Sequence, residues 1–473
     1  MDASLLYTKG LINEDQLFRH LFSPASLHEC FVEKHSRSRA KGLDRITGPQ
    51  YRDRAYDELA VASRKCIDGT LSFTPYQEVL KPKGRGKPPR EISVPTVRDR
   101  TVLSQLLRFI SLVFPECVPK SIAHTYVKQM SETLTSAPDD AWVCCLDIRN
   151  FYDNIRWPQL GKILSSRIDS PSALKLIGVA LKTPTVPKGT ARSKRQDHRR
   201  RRGVPQGLAI SNLLAAIYLK SVDDFMAAQA VSYQRYVDDV VLVGSSAALD
   251  AASKRLASRL RVRGLSLHPE DSPKTHLAPK ADPFEYLGYR FVYPKIGVRE
   301  STVERFLQSI VAKFSDYKYN KASKLSRYAY LSEEILKNAF LMELNERITG
   351  AVSGGRRYGW IAYFSQINDP QILFRIDAVI ENLFSRLSDF KFAAPKGLKR
   401  IARAHWEIRY DIYGGYVRNY DVIVTVEQKI EFLVARGRMG PGEILTVAQI
   451  GERYDAYLTR QLADMHADEA AMY

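Results

Sequence analysis

The chain is poor in cysteine, in long apolar runs, and in acid relative to base, and each shortage narrows its function. Among 473 residues there are five cysteines, Cys30, Cys66, Cys117, Cys144 and Cys145, an odd number with none at metal-ligand spacing. That argues against a disulfide framework and a structural zinc site, and points to reduced thiols in the cytoplasm. The nine histidines are scattered, with no HExxH pair, which removes the commonest zinc-hydrolase reading. No apolar run reaches the ~18 residues a membrane-spanning helix needs. The opening MDASLLYTKGLINEDQLFRH is interrupted by acids and lacks the basic-then-apolar order of a secretory leader. Against 71 Lys+Arg stand only 52 Asp+Glu, a formal charge of +19. So basic a surface suits a polyanionic partner, and without a membrane segment nucleic acid is the better reading than lipid.

At 45% hydrophobic and 26% charged the chain is long and apolar enough for two or three cores. Residues 1–75 read as mainly helical, broken by KGLDRITG at 41–48. YQEVLKPKGRGKPPREISVP (76–95) reads as two strands around a basic Gly/Pro loop, and RDRTVLSQLLRFISLVF (98–114) as a helix. AWVCCLDI (141–148) is a buried strand ending in a carboxylate, and GLAISNLLAAIYLKSVDDF (207–225) a helix. VSYQRYVDDVVLVG (231–244) fits two strands and a tight turn, 249–264 an amphipathic helix, and PFEYLGYRFVY (283–293) a hairpin. This order resembles a split βαβ, ferredoxin-like unit. Helical spacing returns at 301–317, 332–350 and 371–388. The domains expected are 1–75, 76–295, a helical 296–390, and a basic, mixed extension over 391–473.

Three Asp-Asp pairs occur: Asp139-Asp140, Asp223-Asp224 and Asp238-Asp239. The first follows a proline in a polar loop and the second lies near a helix end, so both read as solvated. The third is flanked by Tyr236, Val237 and Val240 to Val243, where a strand pattern asks for a core. Asp147, at the end of its own strand, can lie beside it in a small mixed sheet. Carboxylates ~5 Å apart repel by about 3 kcal/mol at an effective dielectric of about 20. A cluster of them therefore calls for a cation, and oxygen ligation suits Mg²⁺.

YVDD, the upstream CLDIRNFYDNI, the intervening GVPQGLAISNLLAAIYL, the early GKPPREISVPTVRDR and the late PKTH…FEYLGYRF resemble, in order, the successive blocks of reverse transcriptases. The likeness covers about 76–293 and has the flavour of group II intron and retron enzymes. ELNERITGAVSGGRRYGWIAYFSQIND (343–369) is similar to the thumb of retron-like and abortive-infection or defence-associated enzymes. The resemblance implies an α+β right-hand polymerase, with fingers and a ferredoxin-like palm, a helical thumb and a C-terminal extension. It implies RNA-directed DNA polymerase activity with two Mg²⁺ ions, Mn²⁺ being a substitute.

By residue, the resemblance makes Asp147, Asp238 and Asp239 the catalytic metal ligands, with the Ile148 carbonyl as a further one. Tyr152, with Phe151 beside it, lies where the family sets an aromatic under the sugar, favouring deoxynucleotides. Gln206, Arg90 and, more weakly, Lys83 match nucleotide-binding positions, and Gly203 and Gly207 permit close backbone approach. Lys274 and Leu287-Gly288-Tyr289 match elements near template and primer. KGTARSKRQDHRRRRG (188–203) is a departure, either a solvated insertion or a set of phosphate contacts. Beyond 390 there are only His405 and His466 and no cysteine, so no HNH nuclease is expected, and no RNase H segment is evident. The partners implied are an RNA template, with a dedicated non-coding RNA as one form of it, a DNA product and deoxynucleoside triphosphates, with no membrane and self-association left open. Two alternatives stand beside templated copying: non-templated or self- or protein-primed synthesis at the same site, and an RNA-binding maturase or scaffold whose polymerase site is vestigial. An antiphage setting is an expectation from the family likeness alone.

Overall fold

A computed structural model describes residues 3–82, 88–119, 121–411 and 414–470. The chain divides into two compact units, one of Met1–Ile122 with Ala137–Pro279, the other of Ala123–Ser136 with Lys280–Tyr473. The elements are mixed helix and strand, and among the described residues no helix is long and apolar enough to cross a membrane.

In the first unit, β1 (Tyr76–Lys81) pairs antiparallel with β2 (Arg90–Val94). The apolar WVCCLD forms β3 (Trp142–Asp147), and β4 (Thr185–Val186) runs parallel to β1. A second sheet has the order β5-β6-β3-β7, with β5 at Ser232–Tyr236, β6 at Asp239–Gly244 and β7 at His276–Pro279. All its pairings are antiparallel. β3 and β5 therefore run parallel with β6 between them, the split βαβ expected from the sequence. Helix Ser211–Ala227 packs on β5, and helix Ser246–Val262 on β3 and β6. The latter starts where the Ser245 hydroxyl accepts the Ala248 N–H, supplying one of the bonds a helix start lacks. Val240 to Val243 are all buried, so β6 is the apolar spine of the sheet.

Helices Glu14–Leu21, Pro24–Lys34 and Ala55–Ile67 pack around Val97–Val113. Their Leu17, Phe18, Phe31 and Leu59 share one continuous core with Leu146, Val240 and Leu242 of the sheet. Burying each such side chain contributes about 1.5–3 kcal/mol, so the early helices and the sheet stabilise one another.

In the second unit, β8 (Phe284–Tyr286), β9 (Tyr289–Val292) and β10 (Lys295–Val298) form an antiparallel meander. Helix Glu300–Arg327 runs ten residues past the predicted 317, because its apolar stripe ends at the buried Tyr317 while the helix continues as a polar one. Bonds from Asn320 and Lys324 to Asp316 support that extension. Helix Gln371–Leu383 is shorter than predicted, giving way to single 3₁₀ turns at 384–386 and 388–390. Phe314, Phe340, Phe384 and Phe390 form an aromatic cluster beside it.

Residues beyond 390 are built into this unit. β11 (Ala351–Ser353) pairs with β12 (Arg356–Tyr358) and with β13 (Arg418–Asn419). Helices Val426–Ala435 and Val447–Ala470 close a core of Tyr420, Phe432, Leu433, Tyr454 and Tyr457. Inside it Arg436 is paired with Glu346, both about 95% buried. Glu346 also accepts the Tyr420 hydroxyl at 2.9 Å. Removing one partner of a buried pair leaves an uncompensated charge, which costs about 3–5 kcal/mol. Arg436→Met should therefore lower the unfolding free energy of this unit by that much, read from urea denaturation, and adding Glu346→Leu should recover at least half of the loss.

Candidate active site

Opposite residues of an antiparallel pair project to the same face of the sheet, ~4.5–5.5 Å apart at Cβ. Asp147 ends β3, Asp239 begins β6, and the two are direct partners in the register. The apolar runs behind them set that register, since a slip of one residue would exchange the faces on which Val240 to Val243 are packed. Asp238 lies beside them in the two-residue turn, Val237-Asp238, joining β5 to β6.

That turn is strained. Val237 has φ of 57°, a region β-branched residues avoid and where a hairpin turn normally carries glycine, at a cost on the order of 1–3 kcal/mol. Two contacts hold it. The Ile148 N–H donates to the Asp238 carbonyl at 3.0 Å, and Arg235 Nη1 donates to the Val237 carbonyl at 2.7 Å. Arg235 is itself gripped by both oxygens of Asp223, at 2.7 and 2.5 Å. Tyr233 donates its hydroxyl to Asp223 at 2.7 Å. Asp223 is thus not the solvated residue its sequence context implied, whereas its neighbour Asp224 is, being 62% exposed beside Lys220. The reading from sequence fails here because Arg235 and Asp223 meet only once the helix lies on β5.

Asp147 is 8% exposed. Its Oδ2 lies 2.7 Å from Lys274 Nζ and its Oδ1 3.1 Å from His268 Nε2. Lys274, expected at the primer strand, thus stands among the carboxylates. His268 was not foreseen, since it lies six residues before Lys274 and outside the PKTH block. Burial lowers the His268 imidazole below its usual value despite the opposing pull of Asp147. Burial, then the like charge of Asp147, pushes the Asp238 carboxyl up.

Among the described residues no group of three or more His, Cys, Asp or Glu side chains is arranged to hold a metal ion. The donors fit a hard divalent ion nonetheless. They are carboxylate oxygens that burden one another's charge, as Asp238 shows, and one already holds an ammonium as a surrogate cation. Such an ion completes its shell from water and substrate phosphates.

Tyr152 lies on the short helix Phe151–Asn154, entered through Asn150 at φ 46°. Its hydroxyl donates to Asn212 Oδ1 at 2.8 Å, which fixes the ring. Phe151, expected as a nucleotide contact, is instead buried at 2% exposure and backs Tyr152 from within the core. The Tyr152 carbonyl accepts the Val204 N–H at 2.8 Å. A Cβ on Gly203, at φ 85°, would lie 3.0 Å from that carbonyl, so only glycine lets the two segments meet. The Gln206 carbonyl accepts the Ser93 N–H at 2.7 Å, tying the PQG loop to β2. Arg90 begins β2, its buried Nε has no hydrogen-bond partner, and its charge is felt at both Asp238 and Tyr152. Arg200, from the basic stretch before PQG, is anchored to Glu91 and Asp153 rather than left to solvent.

Ile148 is buried at 1% exposure, with its amide committed to Asp238. Leu287-Gly288 forms the β8–β9 turn in the second unit, both at positive φ. Tyr289 is fully buried there, donating its hydroxyl to the Tyr363 carbonyl at 2.5 Å, so its side chain is core rather than strand-facing. Lys83 lies outside the described residues.

Residues 80–291 match the family described as reverse transcriptase (RNA-dependent DNA polymerase). The chain is 22% identical to protein YkfC of Escherichia coli (strain K12), over 53% of this chain and 75% of YkfC. It is 25% identical to the group II intron-encoded protein LtrA of Lactococcus lactis subsp. cremoris, over 46% of this chain but only 36% of LtrA. A Candida albicans telomerase structure in complex with a fragment of telomeric RNA aligns at 12% identity over 83% of this chain and 68% of that one. Its TM-score of 0.42 is too low to add weight.

Because the folded Asp238 pKa is raised, the unfolded chain loses its proton first as pH rises. Folding stability therefore falls through the window between the unfolded and folded values, and the full cost applies above it. In chelator, Asp238→Asn should raise the urea midpoint at neutral pH, and the gain should vanish below about pH 4, near the unfolded value.

Proposed function

Residues 80–291 are a reverse transcriptase domain, the catalytic part of an RNA-directed DNA polymerase, and from that premise we propose that Asp147, Asp238 and Asp239 form its polymerase centre. The observation that carries this is the Asp147–Asp239 rung, with Asp238 in the adjoining turn. The reaction joins a primer 3′-hydroxyl to the α-phosphorus of a deoxynucleoside triphosphate, releasing pyrophosphate. Two Mg²⁺ ions on these carboxylates would supply stabilisation of the attacking and leaving oxygens.

The chain's own residues do the rest. Tyr152, fixed by Asn212, is a rigid ring against which a ribose 2′-hydroxyl would clash. Arg90 offers an unpartnered buried nitrogen and a planar fork suited to a triphosphate. Gln206 sits in the loop that links β2 to the Tyr152 turn. Lys274 neutralises Asp147 until substrate arrives, after which its ammonium is available to a phosphate. We read the first unit as fingers and palm, and the helices over 300–390 as thumb. Template RNA, DNA product and deoxynucleotides are the partners proposed, in the cytoplasm, where the five thiols stay reduced. On the likeness of 343–369 to defence-associated enzymes, we place the reaction in bacterial antiphage defence.

Purified Asp238→Asn and Asp239→Asn variants should incorporate no deoxynucleotide on a primed RNA template while melting no lower than wild type. Chelation should do the same, with Mg²⁺ restoring activity. Activity in the double variant would end this reading. Sequencing products made with and without template separates copying from non-templated synthesis. Tyr152→Val should raise ribonucleotide use relative to deoxynucleotide by about tenfold, or 1.4 kcal/mol, read from single-nucleotide incorporation. Phage plating on cells carrying wild type or Asp238→Asn tests the defence setting, and equal plating would remove it.

A further inference from the structure

Residues 391–410, KFAAPKGLKRIARAHWEIRY, hold six Lys/Arg and a single acid, Glu407. Glu407 is 3% exposed and faces inward, accepting the N–H groups of Tyr416 and Val417 at 2.7 and 2.8 Å. The stretch itself therefore presents no acid to solvent, although its Arg400 is paired with Glu381 at 2.7 Å. Its helix, Ile401–Tyr410, is firmly seated. Ile401, Ala404 and Glu407 are buried, and Asp377 accepts the N–H groups of Ile401 and Ala402 at 2.7 and 3.2 Å.

The opposite face is unusual for a solvated helix. Arg403, Trp406 and Tyr410 recur at helical spacing on one side, and Trp406 and Tyr410 are 43% and 66% exposed. The Arg403 guanidinium lies 4.7 Å from the Trp406 ring centroid. The Trp406 and Tyr410 centroids are 6.1 Å apart, and Arg409 lies 5.6 Å from the Tyr410 ring. An isolated exposed ring needs no explanation, but two rings interleaved with guanidinium groups form a surface on which bases stack while cations meet phosphate. Both exposed apolar groups on this face are aromatic, which does not give the broad aliphatic face of a membrane-surface helix.

We propose that the Arg403–Trp406–Tyr410 face is a stacking platform for an unpaired stretch of RNA, separate in sequence from the polymerase residues. The choice of RNA over DNA rests on the copying of RNA proposed above.

The test uses the full chain carrying Asp239→Asn, without deoxynucleotides, and a single-stranded 20-mer RNA containing 4-thiouridine. Photocrosslinked peptides should include Trp406 or Tyr410. Trp406→Ala with Tyr410→Ala should weaken RNA binding about tenfold or more, since each ring removed is a stacking partner for a base. The Phe/Phe pair should restore most of it, and Arg403→Ala should flatten the salt dependence by about one ion. Crosslinks confined to other segments, with affinity unchanged in the Ala/Ala variant, would overturn the platform. Equal or stronger crosslinking to single-stranded DNA of the same sequence would overturn the assignment to RNA. Wild-type incorporation is assayed alongside. Its absence with the crosslink intact would refute the polymerase reading while still supporting the platform.

Discussion

The arrangement of the site depends on one pairing, β3 against β6, with Asp147 opposite Asp239. Charge alone would drive these side chains apart. What holds them is the apolar stretch behind, Val143 to Leu146 on one strand and Val240 to Val243 on the other, whose register is set by burial rather than by the acids. The carboxylates are aimed by a scaffold that gains nothing from them. The consequence is visible at Asp238, whose carboxyl is pushed up by burial and by Asp147.

A second constraint follows from placing Asp238 in a two-residue turn. The turn bends Val237 into a region it does not favour, and the cost is offset by hydrogen bonds from Ile148 and Arg235. Arg235 has its own holder in Asp223 on helix Ser211–Ala227. The helix behind the sheet is therefore coupled to the turn through a bidentate ion pair, and packing is only part of its role. The glycines at 203 and 207 act comparably on the other side, letting backbone approach where any side chain would collide.

The core explains why the early helices matter to a site they do not enter. Leu17, Phe18 and Leu59 lie in the same continuous core as the strands that carry the acids. In the second unit, residues beyond 390 are likewise part of the packing, through the Arg436–Glu346 pair and the aromatic residues around it.

Sequence by itself determined the strands and helices around the acids, the distinction of Asp238-Asp239 from Asp139-Asp140, and the likeness of residues 76–293 to reverse transcriptases. These are local matters, since apolar periodicity and block order can be read along the chain. Only the tertiary structure decided which side chains meet. It moved Lys274 onto Asp147 and added His268. It turned Phe151 and Tyr289 into their cores, and it raised Asp223 from a solvated acid to the partner of Arg235. Spacing in sequence tells which face of a strand or helix a residue occupies. What lies opposite that face depends on how distant segments pack, and linear spacing carries no record of that.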